Sequence, residues 1–219
     1  MTEFTIVLGN KAYSSWSLRG WLMLKQTGVA FSEVIIPLDR PQTKAEILAH
    51  SPSGRVPALK AGKLTIWDSL AIAEYLDERF PGAGLWPQDP EARAVARAVT
   101  AEMHAGFATL RARLPMDLKR DPAPAGESTP PDPELAAEIG RIVAIWTDCR
   151  ARYGGRGDFL FGAFTAADAV YAPVATRFQT YGVVLPEPAA TYRDAVMAWP
   201  ALGEWIVAAR EEPWIIEFP

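Results

Sequence analysis

Every strand-like run in this 219-residue chain lies ahead of Asp68, and only helical patterning follows it. Phe4-Thr5-Ile6-Val7-Leu8 is a short, apolar, β-favouring run stopped by Gly9-Asn10, and Phe31 to Ile36 is a second, stopped by Pro37. Val56 to Lys60 and Leu64 to Trp67 flank Gly62 at hairpin distance. Between these runs, Ser14 or Ser15 is placed to cap a helix whose Leu18, Trp21, Leu22 and Lys25 repeat near 3.6 residues, with Gly28 closing it. Thr43 to Ala49 reads as a brief helix. Asp68 caps another, carrying Ile72, Tyr75, Leu76 and Phe80 ahead of Pro81-Gly82. The order β-α-β-α-β-β-α is that of an α/β, thioredoxin-like domain.

After Gly84-Leu85-Trp86-Pro87 the alternation stops. Val95, Val99, Met103, Leu110 and Leu114 form one helical stripe, and Leu135, Ile139, Ile142, Val143 and Trp146 form a second. Val170, Val174, Phe178 and Tyr181 belong to a third, with Pro173 inside it, and two short helices follow, the last after Trp199-Pro200. The Pro-rich stretch from Asp121 to Pro133 can neither continue a helix nor bury much, and is expected to be an exposed loop. The expected layout is a thioredoxin-like domain over 1–82, a linker over 83–90, and an all-α helical-bundle domain over 91–219.

An apolar fraction of 49% and a charged fraction of 22% are enough for a sizeable core. A net charge of −4 leaves no overall basic field for nucleic acid or anionic lipid. No run of about 20 apolar residues is present to span a bilayer. With Cys149 as the one cysteine and no secretory pattern at the start, a cytoplasmic setting is expected. Cys149 reads as a core residue. His50 and His104 have no neighbours at metal-ligand spacing, so no metal site is expected.

Four segments carry chemistry or its scaffold: Tyr13-Ser14-Ser15-Trp16-Ser17-Leu18-Arg19, Gly54-Arg55-Val56-Pro57-Ala58-Leu59, Asp68-Ser69-Leu70-Ala71-Ile72-Ala73-Glu74-Tyr75-Leu76, and Phe161-Gly162-Ala163-Phe164-Thr165-Ala166-Ala167-Asp168. A strand edge offers backbone donors and acceptors, and a helix start favours a carboxylate. In this order the four segments resemble the cytosolic glutathione transferase family across essentially the whole chain. They match, respectively, the serine-rich first-helix start of its zeta class, its Val-Pro segment, its acid-Ser helix and its helix-six capping box.

That resemblance implies glutathione as co-substrate and a hydrophobic small-molecule electrophile as second partner, within a homodimer. A free thiol of pKa ~8.5 is only a few per cent ionised at neutral pH, so a catalyst must stabilise the thiolate. Ser14, Ser15 and Ser17 are the candidate donors, the first two being favoured, with Tyr13 as an alternative; Trp16 stands where the zeta pattern has cysteine. Val56 is expected to pair its backbone with the cysteinyl part of the tripeptide, Pro57 to hold that edge by a cis bond, and Asp68 and Ser69 to take the γ-glutamyl end. Arg55 lies in the same segment. Lys44, and behind it Arg40 or His50, are candidates for the glycyl carboxylate, and Trp16 is placed to line the electrophile pocket. The electrophile is expected between the halves, where the first helix faces the second and third long helices. Thr165 and Asp168 are expected to serve folding. Arg177 is expected to meet an acid within the bundle. Two other readings remain open at this point: a glutathione-dependent cis-trans isomerase of a maleyl-type acid, and a non-catalytic glutathione- or ligand-binding interaction protein.

Overall fold

The computed structural model describes residues 3–126, 132–155 and 157–218. Its first half alternates strands and helices: β1 (Phe4–Gly9), α1 (Ser15–Gln26), β2 (Phe31–Ile36), α2 (Thr43–Leu48), β3 (Ala58–Ala61), β4 (Leu64–Trp67) and α3 (Ser69–Arg79), then a 3-10 turn at Pro81–Ala83. The four strands form one sheet in the order β2-β1-β3-β4. β1 runs parallel to β2, in register Phe4 to Phe31, and antiparallel to β3, which pairs antiparallel with β4. The parallel pair needs a crossover, which α1 supplies, while Gly62 at φ 60° lets β3 turn directly into β4. This is the thioredoxin-like arrangement expected from the sequence.

The second half is helical: α4 (Pro90–Ala105), α5 (Ala108–Arg113), α6 (Pro133–Tyr153), α7 (Ala166–Thr180), α8 (Glu187–Met197) and α9 (Pro200–Glu211). One expectation needs correction. The stripe from Val95 to Leu114 belongs to two helices, because Gly106 adopts an extended conformation and Phe107 a left-handed one, φ 59°, between α4 and α5. A positive φ costs a residue with a Cβ. Phe107 is nonetheless buried among core side chains, so packing outweighs that cost. The Pro-rich loop has no helix or strand over 121–126, and residues 127–131 of it lie outside the described residues.

α7 is buried along nearly its whole length and continues past Pro173. It packs on α4 and α8 within its own half and on α1 of the first half, so one apolar cluster spans both halves. The N-terminus of α7 is fixed by the capping box, in which the Asp168 carboxylate accepts from Thr165 N–H (2.8 Å), Thr165 Oγ1 (2.8 Å), Leu160 N–H (3.1 Å) and Tyr192 Oη (3.0 Å). Arg177 does not meet an acid. Its Nε donates to the carbonyl of Leu114 at 2.7 Å and its Nη1 to that of Pro173 at 3.1 Å. Main-chain oxygens take the place of a carboxylate, that of Leu114 being left over where α5 ends and that of Pro173 being shared with Thr176 Oγ1.

Cys149, on the buried face of α6, has its thiol pushed up to about 12 by burial. A thiolate is the reactive species. The native protein is therefore expected to resist a disulfide-exchange reagent at pH 8 and to react fully once unfolded in denaturant. Rapid labelling of the native fold would contradict this burial.

Candidate functional site

A cleft of about 740 Å³ opens where the start of α1, the loop before β3 and the start of α3 converge, with α4 closing one side. Ser14, Trp16, Arg55, Val56, Pro57, Asp68, Ser69 and His104 line it, with Leu38, Ile47, Ser53 and Trp67 around them. Of the nine candidate site residues from the sequence, six therefore share one cavity: Ser14, Arg55, Val56, Pro57, Asp68 and Ser69.

Ser14 is the N-cap of α1, its Oγ accepting from Ser17 N–H at 3.3 Å. Its hydroxyl also donates to Ser17 Oγ at 2.8 Å, and Ser17 Oγ accepts from Gly9 N–H at 2.9 Å. Ser17 is thus wholly buried and ties the end of β1 to α1 behind Ser14. Ser15 is the first helical residue, buried and outside the lining of the cleft. Among the three serines it is Ser14 that faces the open space. The first turn of α1 carries no acidic side chain of its own to offset the positive end of its dipole. Tyr13 turns away, since its ring packs edge-on against Phe218, at 5.7 Å between centroids, and its hydroxyl meets the Ile216 backbone.

On the opposite wall the Val56–Pro57 peptide bond is cis, as the resemblance implied, and lies directly ahead of β3. Pro57 also packs against Gly20 of α1, where an added Cβ would come within 2.8 Å of the proline ring. Asp68 caps α3 with Oδ1 accepting from Leu70 N–H at 2.9 Å, and holds a left-handed φ of 74°. Strain of this kind, of order 1–3 kcal/mol, concentrates where side chains are aimed for function. Ser69 is almost fully buried, and its Oγ has no hydrogen-bond partner. A buried, unsatisfied hydroxyl lining a cleft beside a helix N-terminus is suited to a polar ligand group.

Lys44, Arg40 and His50 stand outside this lining. Lys44 Nζ reaches the Gly54 carbonyl at 3.4 Å, Arg40 lies over the Trp214 ring, and His50 Nδ1 is 2.9 Å from Lys60 Nζ.

His104 was not singled out as a site residue from the sequence. It comes from the last turn of α4, with Nε2 at 3.2 Å from Asp68 Oδ2 and its ring edge-on to Trp16, 4.9 Å between centroids. Burial lowers its pKa, Asp68 opposes this, and the neighbouring Arg19 and Arg111 add to the lowering. The lowering favours the uncharged imidazole. No local pattern announces it, because its placement depends on how α1 and α4 both pack on α7. Among the described residues it is what the helical half adds to the lining of this cleft, beside Trp16.

Beneath Trp16 lies Arg19, fully buried, its guanidinium carbon 4.3 Å from the indole centroid and its three nitrogens without partners. Burial first, then Arg177 and Arg111, bring its pKa down to about 9, so it remains a cation at neutral pH. Arg111 stacks over the same indole at 5.9 Å. Two guanidinium groups therefore lie against Trp16, which lines the cleft, and their charge favours an anion held nearby.

The family model described as the N-terminal domain of glutathione S-transferase matches residues 13–79, and the one described as its C-terminal domain matches 92–208. The chain belongs to the glutathione S-transferase family. Among curated relatives, rat maleylacetoacetate isomerase is 39% identical over 100 residues, a stretch spanning 44% of this chain and 45% of that protein. A stringent starvation protein A homologue of Pasteurella multocida is 29% identical over 163 residues, spanning 74% and 69% respectively. Among solved structures, a zeta-class maleyl pyruvate isomerase superposes with a TM-score of 0.72 at 22% identity, covering 95% of this chain and 99% of that one. A Burkholderia glutathione transferase homologue solved with bound glutathione gives 0.69 at 24%, covering 95% and 98%. These likenesses establish the transferase fold, and the family's two domains account for both halves of the chain.

Proposed function

We propose that this chain is a glutathione transferase that ionises the glutathione thiol and directs it at a hydrophobic electrophile. The observation that carries this reading is the meeting, in one cleft, of Ser14 at the N-terminus of α1 with the partnerless buried hydroxyl of Ser69. In this reading Ser69 and the first N–H groups of α3 take the γ-glutamyl carboxylate, and Asp68 takes the ammonium. Val56 pairs its backbone with the cysteinyl unit as an added strand, a common way for an extended peptide to dock. Arg55 receives the glycyl carboxylate, with Lys44 as the second candidate.

The serines suit a relay. Ser14 now gives its proton to Ser17, but hydroxyls rotate, and Ser17 keeps its bond from Gly9 N–H either way. When Ser14 turns its O–H toward sulfur, Ser17 donates to Ser14 in its place. The thiol proton leaves to solvent, and the thiolate is held by Ser14, the α1 dipole and the buried Arg19 charge behind Trp16. The sulfur then bonds to an electrophilic carbon as the leaving group departs with its electron pair.

One observation favours the isomerase alternative. The Arg19 and Arg111 guanidinium groups over the Trp16 ring suit an electrophile that is itself an acid. A homodimer, a cytoplasmic setting and a role in detoxification belong to the same proposal. A turnover screen tests it, with purified protein, glutathione, an aryl halide and a cis-enoic diacid monoester. Glutathione-saturable conversion of either supports the enzyme; none at any glutathione concentration favours a binding protein. Ser69→Ala is expected to weaken glutathione binding about 10-fold or more, as loss of a charge-assisted hydrogen bond does, when followed by calorimetry. Unchanged affinity would remove Ser69 from the site.

A further inference from the structure

The short loop of residues 10–14 joins β1 to α1 and ends on Ser14. Its inner turn closes locally, with Tyr13 N–H and Ser14 N–H both donating to the Asn10 carbonyl, at 3.2 and 2.8 Å. The two residues between have no such local partners. All four backbone polar groups of Lys11 and Ala12 are instead satisfied from the far end of the chain or the helical half. Lys11 N–H donates to Glu212 Oε1 at 2.9 Å and Ala12 N–H to Glu212 Oε2 at 3.3 Å. The Lys11 carbonyl accepts from Trp205 Nε1 at 2.9 Å, and the Ala12 carbonyl from Leu118 N–H at 3.1 Å. Glu212 itself is 8% exposed, and Lys119 Nζ donates to its carbonyl.

We infer that Glu212, just beyond α9, is a positioning residue for catalysis, its carboxylate clamping the loop that presents Ser14 to the cleft. The inference rests on Ser14 being the thiolate donor. Buried backbone donors need acceptors, so without Glu212 the Lys11 and Ala12 N–H groups must find water or move. Either response shifts the turn that sets the Ser14 hydroxyl, whereas the walls formed by Val56, Asp68 and Ser69 belong to other elements and stay in place. A displacement near 1 Å at a reacting group is enough to cost rate without costing binding.

The test compares Glu212→Ala and Glu212→Gln in the otherwise unchanged protein and in a Ser14→Ala background. The readouts are the pKa of the bound glutathione thiol, followed by its ultraviolet thiolate absorbance, kcat, and calorimetric affinity for S-hexylglutathione. Glu212→Ala is expected to raise the bound thiol pKa by about one and to lower kcat about 10-fold, while conjugate affinity stays within about 2-fold. Glu212→Gln keeps one acceptor and is expected to fall between. Neither change should add to Ser14→Ala, since both act through that hydroxyl. A lower melting temperature with unchanged thiol pKa and kcat would make Glu212 a structural tie only and overturn the inference. If Ser14→Ala alone leaves the thiol pKa unmoved, it is the serine assignment that falls. Should Glu212→Ala not fold, Glu212→Gln is judged by the same criteria.

Discussion

Replacing Ser14 with alanine is expected to raise the pKa of the bound glutathione thiol by about one to two and to cut kcat at neutral pH about 10- to 100-fold. A hydrogen bond to a charged group contributes ~1.5–3 kcal/mol, and each pKa unit corresponds to ~1.4 kcal/mol. Affinity for S-hexylglutathione, whose sulfur carries no charge, should change little. This split distinguishes a thiolate donor from a wall of the site. Ser15→Ala is the control, because Ser15 is buried outside the lining of the cleft and should leave the thiol pKa unchanged. Equal effects from the two serines would undo the assignment to Ser14. The substitution also removes the N-cap of α1, worth roughly 1 kcal/mol, so a modest fall in melting temperature accompanies the kinetic loss.

The largest stability effect is expected at Asp168. Its carboxylate is fully buried and accepts four hydrogen bonds, from Leu160, twice from Thr165, and from Tyr192. Asp168→Ala leaves those donors without acceptors in a site with no room for bulk water, while α8 loses its Tyr192 tie to α7. Each orphaned buried donor costs ~1–3 kcal/mol, so a total of about 3–5 kcal/mol is expected after local relaxation. Urea unfolding of the variant against the parent measures it. Asp168→Asn keeps the shape and one acceptor oxygen and should recover part of the loss. A change below about 1 kcal/mol for the alanine variant would show that α7 is held by packing alone.

The residues that define the fold were readable because their signals are local. Gly62 between two β runs, Asp68 ahead of an apolar helix, and Thr165 three places before Asp168 each act through neighbours in sequence, and each appears where expected. The Val95–Leu114 stripe misled for the same reason. Periodicity continues across Gly106-Phe107, and only burial of Phe107 against the core reveals that the chain breaks there. In the cleft, Ser14, Val56, Asp68 and Ser69 were legible as parts of compact motifs. Which serine faces the cavity was not, since the answer lies in Ser17 reaching back to Gly9 N–H across eight residues. His104, the unpartnered Arg19 and the Glu212 clamp were silent for a further reason. Each acquires its surroundings from segments remote in sequence, through the packing of α1 and α4 on α7 or the return of the C-terminal segment to the first loop. Arg177 is a related case: a charge on an apolar helix face signals a partner, but not that the partner is a pair of carbonyls.

Isothermal titration of the purified protein with glutathione and, separately, with S-hexylglutathione tests the central claim most directly. Saturable one-site binding of both is predicted, tighter for the conjugate because its alkyl chain buries apolar surface against Trp16. Absence of binding by either ligand would contradict the account, leaving a glutathione transferase fold whose cleft serves another ligand.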